Sequence, residues 1–219
     1  MEMKIKFTIA FGAILLLAVA ACAQEYPKGE AGFDYSYARY APSASYTKGH
    51  SLNGGGGWAV YNFNDYIGVK MDLQGYGSNH TGFTIPPSAK FPGGGSGNVQ
   101  GNLFTYLFGP QIKVRAHGFQ PFGHLLLGGA HSNVYGNAFT TICQPIVGGC
   151  ASSKKPAGDA FALAFGGGID IPINKHVQFR PAEIDYLYTR FTNQFTNAGQ
   201  NNFRYSVGVN FTFGESTHD

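Results

Sequence analysis

The chain has 219 residues and a formal net charge of +3; 12% of its residues are Asp, Glu, Lys or Arg, 15% are aromatic and 32 are glycine. That length holds one domain and excludes two large ones, and the charged fraction is about half the roughly 25% of an ordinary soluble domain. So few charges exclude intrinsic disorder, and fifteen thinly spread Lys and Arg exclude a nucleic-acid footprint; what is left is a strand-rich chain whose solvent is partly not water.

Residues 1–23 read as an address. Lys4 and Lys6 precede an apolar run over residues 9–21, and Ala21-Cys22-Ala23 fits a small-residue cleavage site, so a cleaved secretory signal peptide is expected. The run is shorter than the roughly 20 apolar residues of a membrane-spanning helix. Val19-Ala20-Ala21-Cys22 also resembles a lipobox, in which Cys22 would become the lipidated first residue of the mature chain. Removing residues 1–23 leaves residues 24–219 as a single domain and takes the charge from +3 to +2, since Glu2, Lys4 and Lys6 go with them.

Eight segments with strand character follow, within about residues 31–214. The first covers residues 31–42 and the second 52–64, the latter opening on Gly54 to Gly57 and joined almost directly at Asn64-Asp65 to the third. In the third, Ile67, Val69, Met71 and Leu73 alternate with Gly68, Lys70, Asp72 and Gln74; in the fourth, Phe104, Tyr106, Phe108, Ile112 and Val114 oppose Thr105, Gly109, Gln111 and Lys113. The fifth, residues 119–134, is too Gly-rich for its faces to be assigned. The sixth sets Phe161, Leu163, Phe165, Ile169, Ile171 and Ile173 against Ala162, Ala164, Gly166, Gly168 and Asp170. In the seventh, residues 177–191, Arg180 falls on the opposite parity to Glu183 and Asp185, and a bulge near Pro181 would bring all three to one face. The eighth, residues 202–214, separates Phe203, Tyr205, Val207, Val209, Phe211 and Phe213 completely from Arg204, Ser206, Gly208, Asn210 and Thr212.

The connections alternate strictly between short and long. Residues 64–65, 115–118 and 174–176 have hairpin lengths, whereas 43–50, 81–100, 135–159 and 192–201 are rich in Gly, Ser, Asn, Pro and Thr and read as loops. Every short turn therefore falls at one end and every long loop at the other. This predicts an all-β fold: an eight-stranded antiparallel up-and-down transmembrane β-barrel with short periplasmic turns and long extracellular loops. An eight-stranded barrel is only wide enough inside for side chains to fill it. The bulky face would overfill it, so the set from Phe203 to Phe213 is expected to meet lipid. Aromatics beside the short turns (Tyr61, Phe63, Tyr66, Phe119, Phe179, Phe211 and Phe213) fit an interfacial girdle.

The inward set then holds Asp34, Lys70, Asp72, Lys113, Asp170, Arg180, Glu183, Asp185 and Arg204. Charges held in a narrow lumen should pair with one another, and the network they form would plug the barrel. Cys143 and Cys150, in an oxidising compartment, read as a small loop disulfide.

The eight-strand layout, the Gly54–Gly57 strand leading to Tyr61-Asn62-Phe63-Asn64, Phe108-Gly109-Pro110 and the terminal strand from Phe203 to Phe213 resemble the small outer-membrane β-barrel family typified by the OmpA transmembrane domain and OmpX. The resemblance covers residues 25–214. It implies residence in the outer membrane of a Gram-negative bacterium and insertion by the barrel-assembly machinery, which reads a C-terminal aromatic strand; here Glu215 to Asp219 follow that strand.

Catalytic and cofactor motifs are absent from the sequence. The glycine clusters lack the Lys-Ser/Thr of a phosphate-binding loop, and the seven His make no metal-binding pair of helical spacing. His131-Ser132 could serve an esterase, but the sequence identifies no partnering carboxylate. The expectation is a non-enzymatic monomer without cofactor or metal, in contact with outer-membrane lipid and not with nucleic acid. It would stabilise the envelope or present its loops to an extracellular ligand. A narrow small-solute channel and, more remotely, a lipid-modifying barrel enzyme are the alternatives.

Overall fold

The computed structural model describes residues 26–40, 50–85, 87, 95–133, 137, 158–191 and 199–216. Residues 1–23, expected to be a signal peptide, and Cys143 and Cys150 lie outside them. Eight strands run β1 (Tyr26–Tyr40), β2 (His50–Asn62), β3 (Ile67–Ile85), β4 (Gly95–Lys113), β5 (Gln120–Ser132), β6 (Asp159–Pro172), β7 (Val177–Phe191) and β8 (Gly199–Ser216). Each pairs antiparallel with its sequence neighbour. β1 also pairs with β8, from Tyr26 opposite Ser216 to Arg39 opposite Phe203, so the sheet closes into a barrel with no free edge.

Two of the three tight turns use the same local device. Asn64 Oδ1 accepts from the backbone N–H groups of Tyr66 and Ile67 at 2.9 and 2.8 Å, and Asn174 Oδ1 does the same for His176 and Val177 at 2.8 and 2.9 Å. A short amide side chain bonding the backbone two and three residues on stands in for a turn carbonyl. The β4–β5 turn is longer, and Gly118 takes a φ of 90° there, a conformation that favours glycine.

The alternation of side chains sets the two faces. On β8, Arg204, Ser206, Asn210 and Thr212 are buried, whereas Phe203, Tyr205, Phe211 and Phe213 lie exposed on the outer wall. The outer wall as a whole is apolar, with Met71, Phe108, Leu125, Phe165 and Ile184 among its exposed side chains. Tyr61, Phe63 and Phe119 stand on it at the short-turn end, the first two with ring centroids 5.4 Å apart.

Several expectations need correction. Residues 81–100 are not all loop: the β3–β4 ladder continues from Thr81 opposite Val99 to Ile85 opposite Gly95, after a one-residue register shift beyond Ser78. In the sequence Thr81, Phe83 and Ile85 alternate with Gly82 and Thr84, and cross-strand pairing outweighs Gly82 and the glycines 95 and 97 opposite. The connection expected over 192–201 is likewise shorter, because β8 begins at Gly199, and β1 begins at Tyr26 rather than residue 31. The interior is also not uniformly small and charged. Towards the long-loop end it is an apolar cluster of Leu52, Tyr76, Leu103, Leu107, Leu126, Leu187 and Phe191, filled in by alanines. Val114, expected on the outer face of β4, belongs to the turn instead.

Candidate functional site

The barrel axis is occupied by side chains contributed from every strand. Starting at the short-turn end, Glu30 of β1 receives Lys113 Nζ at 2.7 Å and Arg115 Nη2 at 2.9 Å, with Asn62 and Asn210 completing its carboxylate at 3.0 and 2.8 Å. Lys113 also reaches Asp170 Oδ2 at 2.8 Å and Gln178 Oε1 at 3.0 Å. Asp170 then takes Arg180 in two bonds, 2.7 Å from Nε and 3.0 Å from Nη2. This is the fork geometry that makes arginine–carboxylate pairs strong.

Arg180 carries the chain of charges on towards the middle of the barrel. Its Nη1 donates to Glu183 Oε2 at 2.6 Å, and its guanidinium lies 4.0 Å from the Trp58 ring centroid and 4.1 Å from that of Phe122. A desolvated guanidinium against two aromatic rings gains cation–π attraction from both. Trp58 is itself held by a bond from its indole N–H to Asn210 at 3.2 Å.

Glu183 Oε1 accepts Lys70 Nζ at 2.6 Å. Arg204 bridges Asp72 Oδ1 and Asp185 Oδ2, both at 2.7 Å, and His124 Nε2 sits 2.8 Å from Asp185 Oδ1. Above this lies a hydroxyl layer, Ser206 to Ser36 at 2.9 Å and Ser36 to Tyr76 at 3.1 Å, and then the apolar cluster. The interior thus grades from ionic to apolar along its axis.

A bulge in β7 makes the ionic part possible. Both its ladders slip by one residue, with β8 between Arg180 and Glu183 and with β6 between Ile169 and Ile171. The extra residue at Pro181–Ala182 turns Arg180, Glu183 and Asp185 all inward. Proline cannot donate to a ladder, so a bulge is where a sheet tolerates it.

All nine charged residues expected inside are buried there, and the structure brings eight of them into ion pairs. Asp34 stands apart: its Oδ2 accepts from Gln74 at 2.9 Å, and its Oδ1 has no partner among the described residues. Three further members were missed by sequence reasoning. Glu30 fell outside the expected first strand, Arg115 was placed in a turn, and His124 lies on the strand whose faces could not be assigned. With them, six carboxylates face five Lys and Arg side chains plus one imidazole among the described buried residues.

His124, Glu183 and Asp185 bring ligand-type atoms within 4.8 Å of one another. Both carboxylates already hold cations of the chain, Glu183 those of Lys70 and Arg180 and Asp185 that of Arg204. A metal would have to displace them, so the donor set suits an ion-pair network and not a metal. His131 does have a carboxylate neighbour, Asp159 at 2.8 Å, on the exposed outer rim. Ser132, the next residue along the strand, is buried on the opposite face. The two cannot cooperate as nucleophile and base.

A family model described as outer membrane protein beta-barrel domain matches residues 9–211. No curated protein matches the chain in sequence. Among solved structures, Neisserial surface protein A is similar with a TM-score of 0.58 at 13% identity, covering 85% of this chain and 97% of its own. The outer membrane protein OprG from Pseudomonas aeruginosa is similar with a TM-score of 0.56 at 16% identity, covering 86% and 97%. At such identities the likeness is one of fold.

Proposed function

Since the chain belongs to the outer membrane protein beta-barrel domain family, we propose that it is a non-enzymatic, monomeric barrel of the bacterial outer membrane whose stiff, plugged interior supports four surface connections for envelope stability or binding. Its short turns face the periplasm and the connections at the other end face outward, as in small barrels of this architecture. The observation that carries the reading is the filled axis: Arg180, Arg204, Lys70 and Lys113 are at most 1% exposed and lie on carboxylates from other strands or across the bulge. A path for ions would have to break those pairs in a low-dielectric interior, where leaving a charge unpaired is costly.

Function then falls to the segments that join the strands at the long-loop end, since loops on a rigid scaffold are where binding usually resides. Export with cleavage after Ala23, a Cys143–Cys150 disulfide in one of these loops, and insertion by the barrel-assembly machinery belong to the same reading. The test is planar-bilayer recording with purified refolded protein, paired with binding screens on variants lacking single loops. The expected result is no steady conductance, with binding lost on loop deletion. Reproducible ohmic steps would instead make the protein a narrow channel.

A further inference from the structure

A cavity of about 310 Å³ opens at the short-turn end, between the β6–β7 turn, the start of β5 and the end of β8. Arg115, Lys175 and His176 line it together with Gln120, Gln178 and Thr212, and no carboxylate lines it among the described residues. The described charged and titratable side chains of this recess are thus all basic. The carboxylate nearest in the network, Glu30, is already saturated by Lys113, Arg115, Asn62 and Asn210.

The arginine supplies the second observation. Arg115 is 8% exposed, gives Nη1 to the Asp65 carbonyl and Nη2 to Glu30, and has a buried Nε with no partner among the described residues. Each of its two Nη atoms carries a second N–H, and Arg115 lines the recess, so the guanidinium keeps donors for an acceptor there. The floor is prepared for such an acceptor too. Gln178 Oε1 is occupied by Lys113 and Asn210, and its Nε2 donates to Gln120 at 3.1 Å, so the amide is held in place. The rim is likewise held: Thr212 Oγ1 donates to the Lys175 carbonyl at 2.8 Å and the Thr212 N–H to that of His176 at 2.9 Å, which fixes the turn carrying both basic residues to β8.

We propose that this recess binds a small oxyanion, a phosphate or a carboxylate borne by a molecule in the compartment that the short turns face. The proposal depends on the sidedness given above only for where that molecule is found; binding by the purified barrel does not. Lys175 and His176 would attract the group and Arg115 would bond it.

The experiment titrates full-length isotopically labelled protein in lipid nanodiscs with inorganic phosphate and, separately, with N-acetyl-D-alanine, at constant ionic strength held with chloride. The expected result is saturable amide shifts at residues 174–178 and 115–120 with at least one of the two probes, and the probe that saturates names the source. Lys175→Gln combined with His176→Gln should weaken binding about tenfold while leaving the barrel spectrum intact. Arg115→Gln should abolish it, but because Arg115 also bonds Asp65 and Glu30, the double variant is the deciding one. Shifts that fail to saturate with either probe, or that are unchanged in the double variant, would overturn the proposal. A conducting barrel with a working recess would leave this inference standing and remove the plugged reading.

Discussion

Arg180 joins Asp170, Glu183 and two aromatic rings, and so links the two ends of the ionic zone. Replacing it by Met leaves two buried carboxylates each short of a cation, so Arg180→Met should cost about 3–5 kcal/mol in urea unfolding from lipid vesicles. Arg180→Lys should restore only part of that, since an ammonium cannot make the two-bond fork to Asp170 while lying between two rings. On the outer wall the opposite chemistry holds. Val207 lies opposite Tyr35 on the lipid-facing side of β8, and Val207→Arg should cost about 2–4 kcal/mol near the membrane midplane in the same assay. Equal stability of this variant and the parent would mean that the faces had been exchanged.

At the scale of the element, the strands show why parity alone left gaps. Period-two alternation sorted β8 without ambiguity, yet β5 could not be sorted because Gly123, Gly128 and Gly129 have no side chain to mark a face, and His124 was lost with them. The glycines are not interchangeable. A Cβ on Gly166 would sit 2.1 Å from Asp185 Oδ1 and 2.2 Å from the Ile184 carbonyl, whereas on Gly75 nothing comes closer than 3.9 Å. Gly166→Ala should therefore destabilise the barrel by about 1–3 kcal/mol by pushing Asp185 off Arg204. Gly75→Ala should stay within about 0.5 kcal/mol. Unfolding of the two variants side by side checks the contrast. The β7 bulge, in turn, was legible from one proline and three charges on clashing parities, because no regular strand could bury all three.

For the whole molecule, closure of β1 on β8 means that the barrel unfolds as a unit with every strand doubly paired. Protein extracted from membranes should migrate at different positions on a gel with and without boiling, and Arg180→Met should lower the temperature at which the two forms interconvert. Strand number, the apolar outer wall and the alternation of short and long connections were all readable along the chain, because each depends on neighbours within a few residues. The partnership inside was not. Trp58 bonds Asn210 across 152 positions and Arg204 bonds Asp72 across 132, and those meetings depend on the register of every intervening strand. Which charges enter the barrel follows from local alternation; which cation meets which carboxylate, and that the ionic zone gives way to an apolar one, is decided only when the sheet closes and stacks residues from eight strands at common heights along one axis.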